Sequence, residues 1–210
     1  MRGRLVEDRL ARRFSGDGRT IMVIPGLFTS DLRTAGLRRV LRKAGYHAHG
    51  WGLGRNMPIR ADLLERLDGR LDDLQSRAEG PVTLIGWSLG GLVAREYAKH
   101  APDRIGAVVT LGSPFSGDPR DNRAWRAYEL VADHKVDAVP IGGDRRIKPL
   151  VPTTAIWSSR DGIIPPHAAR GLPGERDAEF EVRCGHFALS SAPDAIEAVL
   201  RALRSEGGER

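Results

Sequence analysis

Leu84-Ile85-Gly86-Trp87-Ser88-Leu89-Gly90-Gly91 is the stretch on which the fold turns. It holds a G-x-S-x-G pentapeptide with informative neighbours on both sides. Val82–Ile85 is an apolar run that reads as a buried strand, and Leu89–His100 reads as a helix. A tight strand-to-helix turn forces its central serine into a strained backbone conformation. Glycines two residues before and after Ser88 leave room for that turn, and Gly91 lets helix and strand pack closely. Ser88 then projects at the carboxyl edge of a sheet, above a helix amino terminus that favours developing negative charge. The bland alternative is a plain Gly-rich turn, and the rest of the chain has to decide between the two.

Working outward, apolar runs alternate with helical patterns. Strands are expected at Thr20–Ile24, Tyr46–Trp51, Pro81–Gly86, Ile105–Gly112, Thr153–Ser158 and Glu179–Cys184. Helices are expected at Asp31–Ala44, Ile59–Ala78, Leu89–His100 and Ala192–Leu203. Leu32, Leu37, Val40 and Leu41 are spaced as one helix face, with Ser30 or Asp31 as cap and Gly45 as terminator. Leu63, Leu64, Leu67, Leu71 and Leu74 form another stripe. Strands this apolar, separated by helices, are covered on both faces, which predicts an α/β fold. Its sheet is mostly parallel, of about six strands, with helices on both sides.

Two hundred and ten residues suit one domain spanning 1–210. Ser116–Val151 breaks the alternation with 36 residues between two strands. Asp121–His134 within it reads as a helix, so the segment is either one crossover helix with long flanks or a short insert capping the site. The soft ends are expected at Met1–Arg19 and Ser205–Arg210.

A serine hydroxyl is a weak nucleophile at neutral pH and needs a base. Of six histidines, His186 alone follows the last strand, on a loop at the same sheet edge as Ser88. His47 and His49 precede the serine, and His100 sits at the far end of its helix. His134 lies in the insert, and His167 opens a helix after two prolines. Asp161, just past the fifth strand, is the acid that would orient the imidazole. Asp118, the rival, lies far along the preceding loop. Oxyanion donors are expected from the N–H of Leu89 and the N–H of Leu27, in the Pro25–Ser30 loop. Phe28, Trp87, Phe115, Ile163, Ile164 and Phe187 adjoin these loops and are the candidate substrate-binding side chains. Cys184 lies near a strand end and is not expected to replace the serine. No ligand cluster for a metal or an organic cofactor is apparent.

Composition narrows the partners. Apolar residues at 40% and charged residues at 29% exclude disorder, collagen and a disulfide scaffold. The net charge is +6, and 29 of the 33 basic residues are Arg. They are spread along the chain and mixed with acids, as in Arg66-Leu67-Asp68-Gly69-Arg70, so a nucleic-acid partner is not expected. Met1–Phe14 has five arginines but no apolar core, and no run approaches the ~18 apolar residues of a span. Neither a secretory signal nor stable membrane insertion is expected. The single cysteine fits a cytoplasmic setting.

Leu84 to Arg95, with Val109-Thr110-Leu111-Gly112-Ser113-Pro114 after it, resembles the α/β-hydrolase superfamily in its bacterial lipase and esterase branch. The resemblance runs from about Thr20 to Leu203. It implies a minimal α/β-hydrolase fold without the two leading strands of the full form. It implies hydrolysis of a small-molecule or lipid carboxylic ester through an acyl-enzyme, by Ser88, His186 and Asp161. An acyltransferase or thioesterase with the same three residues, or a silent binding protein of this fold, are the alternatives. Two departures bear on substrate preference: Pro25-Gly26 stands where many members have His-Gly, and Trp87 where His is commoner.

Overall fold

A computed structural model of the chain describes residues 9–77 and 80–205. Six strands form one sheet in the order β2-β1-β3-β4-β5-β6. They are β1 (Thr20–Ile24), β2 (His47–Gly50), β3 (Val82–Trp87), β4 (Ile105–Leu111), β5 (Thr153–Ser158) and β6 (Ala178–Val182). Every neighbouring pair is parallel. All carboxyl ends therefore lie along one edge. The loops after β1, β3, β5 and β6 meet there, although their residues are far apart in sequence.

Alternation within the strands divides the core in two. Ile21, Val23, Ile85, Val109 and Ile156 face one side with α1 (Ala35–Lys43) and α6 (Pro193–Ser205). Met22, Ile24, Leu84 and Val108 face the other with α2 (Leu63–Gln75) and α3 (Leu89–His100). The α2 stripe of Leu63, Leu67, Leu71 and Leu74 is buried, as its spacing predicts, with Leu64 at its margin. Each fully buried leucine is worth roughly 1.5–3 kcal/mol over an exposed one. Two further short helices are α4 (Trp125–Glu129) and α5 (Pro166–Arg170). No helix among the described residues is long and apolar enough to cross a membrane.

Four local expectations are corrected. Helix α1 starts at Ala35, because Asp31 does not cap it. Its carboxylate accepts the N–H groups of Trp51 and Gly52 instead, at 3.1 and 3.0 Å, and ties down the loop after β2. Leu32 is left in the preceding turn, exposed. Asp121–His134 is not one helix: only Trp125–Glu129 is helical, after a 3-10 turn at Pro119–Asp121. Asn122 Oδ1 caps the later start by accepting from Ala124 and Trp125 N–H, and Glu129 accepts from Val136 N–H past its end. Strand β6 ends at Val182, since Arg183 N–H donates to Asp194 rather than to a strand. Residues 9–13 are helical, and Leu10, Ala11 and Phe14 join the core. The soft ends at 1–8 and 206–210, and Ala78 of the second helix pattern, lie outside the described residues.

Arg95 on α3 holds the insert down. It is fully buried, with its guanidinium 4.2 Å over the Phe115 ring. It donates to the carbonyl of Glu175 at 3.0 Å, and to those of Arg145 and Ile147 at 3.4 and 3.3 Å. The Tyr128 hydroxyl ties α4 to the loop before α2 by accepting the Ile59 N–H at 3.1 Å.

Candidate active site

Ser88 sits at the junction of β3 and α3 with φ 55° and ψ −121°, a conformation that non-glycine residues rarely adopt. Its neighbours enforce that turn. A Cβ on Gly86 would collide with the Gly90 carbonyl, and one on Gly90 with the carbonyls of Ile24 and Pro25.

The serine hydroxyl lies 3.0 Å from His186 Nε2, and His186 Nδ1 lies 2.7 Å from Asp161 Oδ2. A carboxylate only accepts, so the proton is on Nδ1, and Nε2 is free to take the serine proton. Asp161 is itself aimed: its Oδ1 accepts the N–H groups of Ile163 and Ile164, both at 2.9 Å. The carboxylate and the imidazole are both shielded from solvent, with side-chain exposures of 1% and 5%. The other histidines face elsewhere. His134 bonds Tyr128 and Asp133, for example, and His167 lies 3.4 Å from Asp121. Asp118 caps the 3-10 turn by accepting Arg120 N–H. Burial, followed by Asp194 and Asp161, pushes the Cys184 thiol up to about 11, which keeps it protonated at neutral pH.

Leu27 and Leu89 line the cavity beside Ser88. Leu89 opens α3, where an N–H has no partner within the helix. No hydrogen bond among the described residues uses the Leu27 N–H, whereas that of Phe28 goes to the Asn56 carbonyl at 2.7 Å. Phe28 has φ 60°, so this loop is strained beside the serine.

Of the six apolar candidates, Ile164 lines the cavity. Trp87 is buried, and its indole N–H donates to the His186 carbonyl at 3.1 Å, so it braces the histidine loop. Phe115 is buried under Arg95. Ile163 packs on α5. Phe28 stands on the loop after β1. Phe187 is exposed, edge-on to both Trp87 and His186.

Three positioning residues were not legible as such. Asn56 is buried, donates Nδ2–H to the Pro25 carbonyl at 2.6 Å, and brackets Phe28 and Thr29 through its backbone. Ser158 donates to the Cys184 carbonyl at 2.6 Å and accepts from Arg160 N–H, which joins the Asp161 loop to the His186 loop. Arg33 donates to the Phe187 carbonyl at 2.6 Å. The available signal was weak: each is a polar residue at or after the carboxyl end of a strand, where most polar residues are solvated.

Comparisons with known proteins bear on the fold. A family model described as alpha/beta hydrolase fold matches residues 61–135. Pimeloyl-[acyl-carrier protein] methyl ester esterase of Shewanella woodyi is 35% identical over 74 residues, 35% of this chain and 27% of that protein. Lipase LipV of Mycobacterium tuberculosis is 25% identical over 206 residues, covering 72% of this chain and 75% of that one. The chain spans only 10–27% of the length of the first curated relatives it matches. The crystal structure of Paleococcus ferrophilus monoacylglycerol lipase superposes with a TM-score of 0.64 at 19% identity, over 92% of this chain and 97% of that one. The parallel sheet with its helices is an α/β-hydrolase fold, and over parts of its length this chain is similar to proteins named lipase and esterase.

Proposed function

We propose that this chain is a serine hydrolase of carboxylic esters. The observation that carries the reading is the Ser88–His186–Asp161 chain of contacts, at 3.0 and 2.7 Å, opening onto a cavity whose walls are mostly apolar. The relatives named lipase and esterase support it. Ser88 Oγ attacks the ester carbonyl carbon while its proton passes to His186 Nε2. The carbonyl oxygen becomes an oxyanion held by the N–H groups of Leu27 and Leu89. The C–O bond to the alcohol breaks, and His186 returns the proton to the leaving oxygen. Water, deprotonated by His186, then attacks the acyl-serine and releases the acid and Ser88.

The substrate class is a small-molecule or lipid ester. We read the chain as one domain, with 116–151 as a small cap, because Tyr128, Val136 and Ile141 wall the cavity. A cytoplasmic setting is supported by the lone cysteine.

A fluorophosphonate probe tests nucleophile, base and oxyanion donors together. Mass mapping is expected to find the adduct on Ser88. A folded protein that stays unlabelled would rule out the hydrolase reading and favour a binding protein.

Asn56→Ala tests the oxyanion-side loop. It leaves the Pro25 carbonyl without its donor, a loss of about 1–3 kcal/mol at a buried group. A displaced donor chiefly raises the barrier. The expected outcome on p-nitrophenyl butyrate is a kcat lower by roughly ten- to a hundredfold, with KM little changed. A change confined to KM or to thermal stability would remove Asn56 from this role.

A further inference from the structure

The cavity beside Ser88, of about 520 Å³, has a direction. His186 does not line it. A leaving alcohol takes its proton from His186, so it departs on the histidine side, next to exposed Phe187. The cavity therefore holds the acyl half of the substrate. One wall is a single face of α3, Leu89, Leu92 and Glu96, and the insert supplies Val136, Val139 and Ile141 opposite. From Ser88 to Glu96 is eight residues, about 12 Å at ~1.5 Å per helical residue.

Glu96 closes the far end. Gly142 lies so close to it that a Cβ there would collide with the carboxylate. Glu96 is 7% exposed. Lys99 Nζ lies 2.6 Å from its Oε1 and the Gly143 N–H also favours its charged form, which leaves further acceptor positions on a carboxylate that has about four. Burial pushes this carboxyl above its usual range, and Lys99 and the Gly143 N–H only partly offset it. The arginines at the same end are engaged elsewhere: Arg146 with Asp144 at 2.7 Å, and Arg145 with the Gly117 carbonyl at 2.6 Å. An apolar channel thus ends on a buried acceptor. A plain methyl end would desolvate that carboxylate further, while an O–H or N–H end would satisfy it.

We propose that this channel takes an unbranched acyl chain of about eight to ten carbons, since an extended chain advances ~3.5 Å per three bonds, and that Glu96 selects chains whose far end carries a hydrogen-bond donor, such as an ω-hydroxyl. This rests on Ser88 being the nucleophile of an ester hydrolase.

The test is kcat/KM on p-nitrophenyl esters of acetate, decanoate, ω-hydroxydecanoate and palmitate. The wild-type chain is expected to favour ω-hydroxydecanoate over decanoate by about tenfold, the scale of one hydrogen bond to a charged acceptor. Palmitate should fall below decanoate by a similar factor. Glu96→Leu should erase the ω-hydroxyl preference, and Glu96→Gln, which keeps an acceptor, should retain part of it. Leu92→Trp, placed mid-channel, should lower the decanoate-to-acetate ratio. Should Glu96→Leu not fold, the wild-type ratio and Leu92→Trp still decide. If acetate is hydrolysed while decanoate and its ω-hydroxy form react equally, or the preference survives Glu96→Leu, the channel assignment is wrong and the hydrolase reading stands. If no ester of any length is hydrolysed, both fall.

Discussion

Ser88→Ala is expected to lower kcat on p-nitrophenyl butyrate by on the order of 10⁵-fold or more, the scale seen when a triad nucleophile is removed. The reason lies in the geometry. The Oγ atom is 3.0 Å from His186 Nε2 and borders the cavity, and no other hydroxyl among the described residues bonds that nitrogen. Background from the oxyanion donors and binding should persist. The fold should persist as well. The substitution keeps a Cβ at φ 55°, so the strain of the turn is unchanged. The lost contact is one hydrogen bond of about 1 kcal/mol, or about 2–4 °C in melting temperature for a chain this long. Paired turnover and melting measurements separate the two effects. A variant retaining a tenth of the wild-type kcat would remove Ser88 as nucleophile.

Asp161→Asn should cost nearly as much, about 10⁴-fold in kcat at neutral pH, through the tautomer of His186. The wild-type carboxylate accepts Ile163 and Ile164 N–H on one oxygen and His186 Nδ1–H on the other. An amide keeps one acceptor and gains one donor. The acceptor has to face the two backbone N–H groups, because turning NH₂ toward them would set donor against donor. The NH₂ group then faces Nδ1, which becomes the acceptor and moves the imidazole proton to Nε2. That nitrogen can no longer take the serine proton. The expected readouts are a collapse of ester turnover and a matching slowing of fluorophosphonate labelling, with folding intact. Turnover within tenfold of wild type would mean that Asp161 only shapes its turn.

The legible part of the fold is the part written in local patterns. Thr20–Ile24, Thr153–Ser158 and Leu89–His100 stand at the bounds their apolar runs suggest. Each carries its signal within its own residues: a continuous apolar run, or a stripe ended by a breaker. Asp121–His134 and the start of α1 were misread because side chains there bond across the fold. Asp31 reaches the loop after β2, and Asn122 resets the start of α4. The N-terminal residues up to Phe14 looked polar overall, yet three side chains there were enough to dock on α1 and α6.

Ser88, Asp161 and His186 could be nominated without coordinates, since a parallel sheet brings every loop after a strand to one edge. Most walls of the cavity could not. Phe28, Trp87, Phe115, Ile163 and Phe187 adjoin the reactive loops in sequence, but adjacency does not set direction. Trp87 and Phe115 turn into the core to hold the His186 loop and Arg95, while Leu92 and Glu96, on later turns of α3, line the cavity. Residue types and their order along the chain therefore settled the sheet, the elbow and the edge at which chemistry is possible, because those depend on backbone periodicity and on glycine sterics. Which side chains face the cavity, and where the channel stops, was left to tertiary packing. It depends on the insert folding back onto α3 through Arg95 and onto the loop before α2 through Tyr128, long-range contacts that no local pattern encodes.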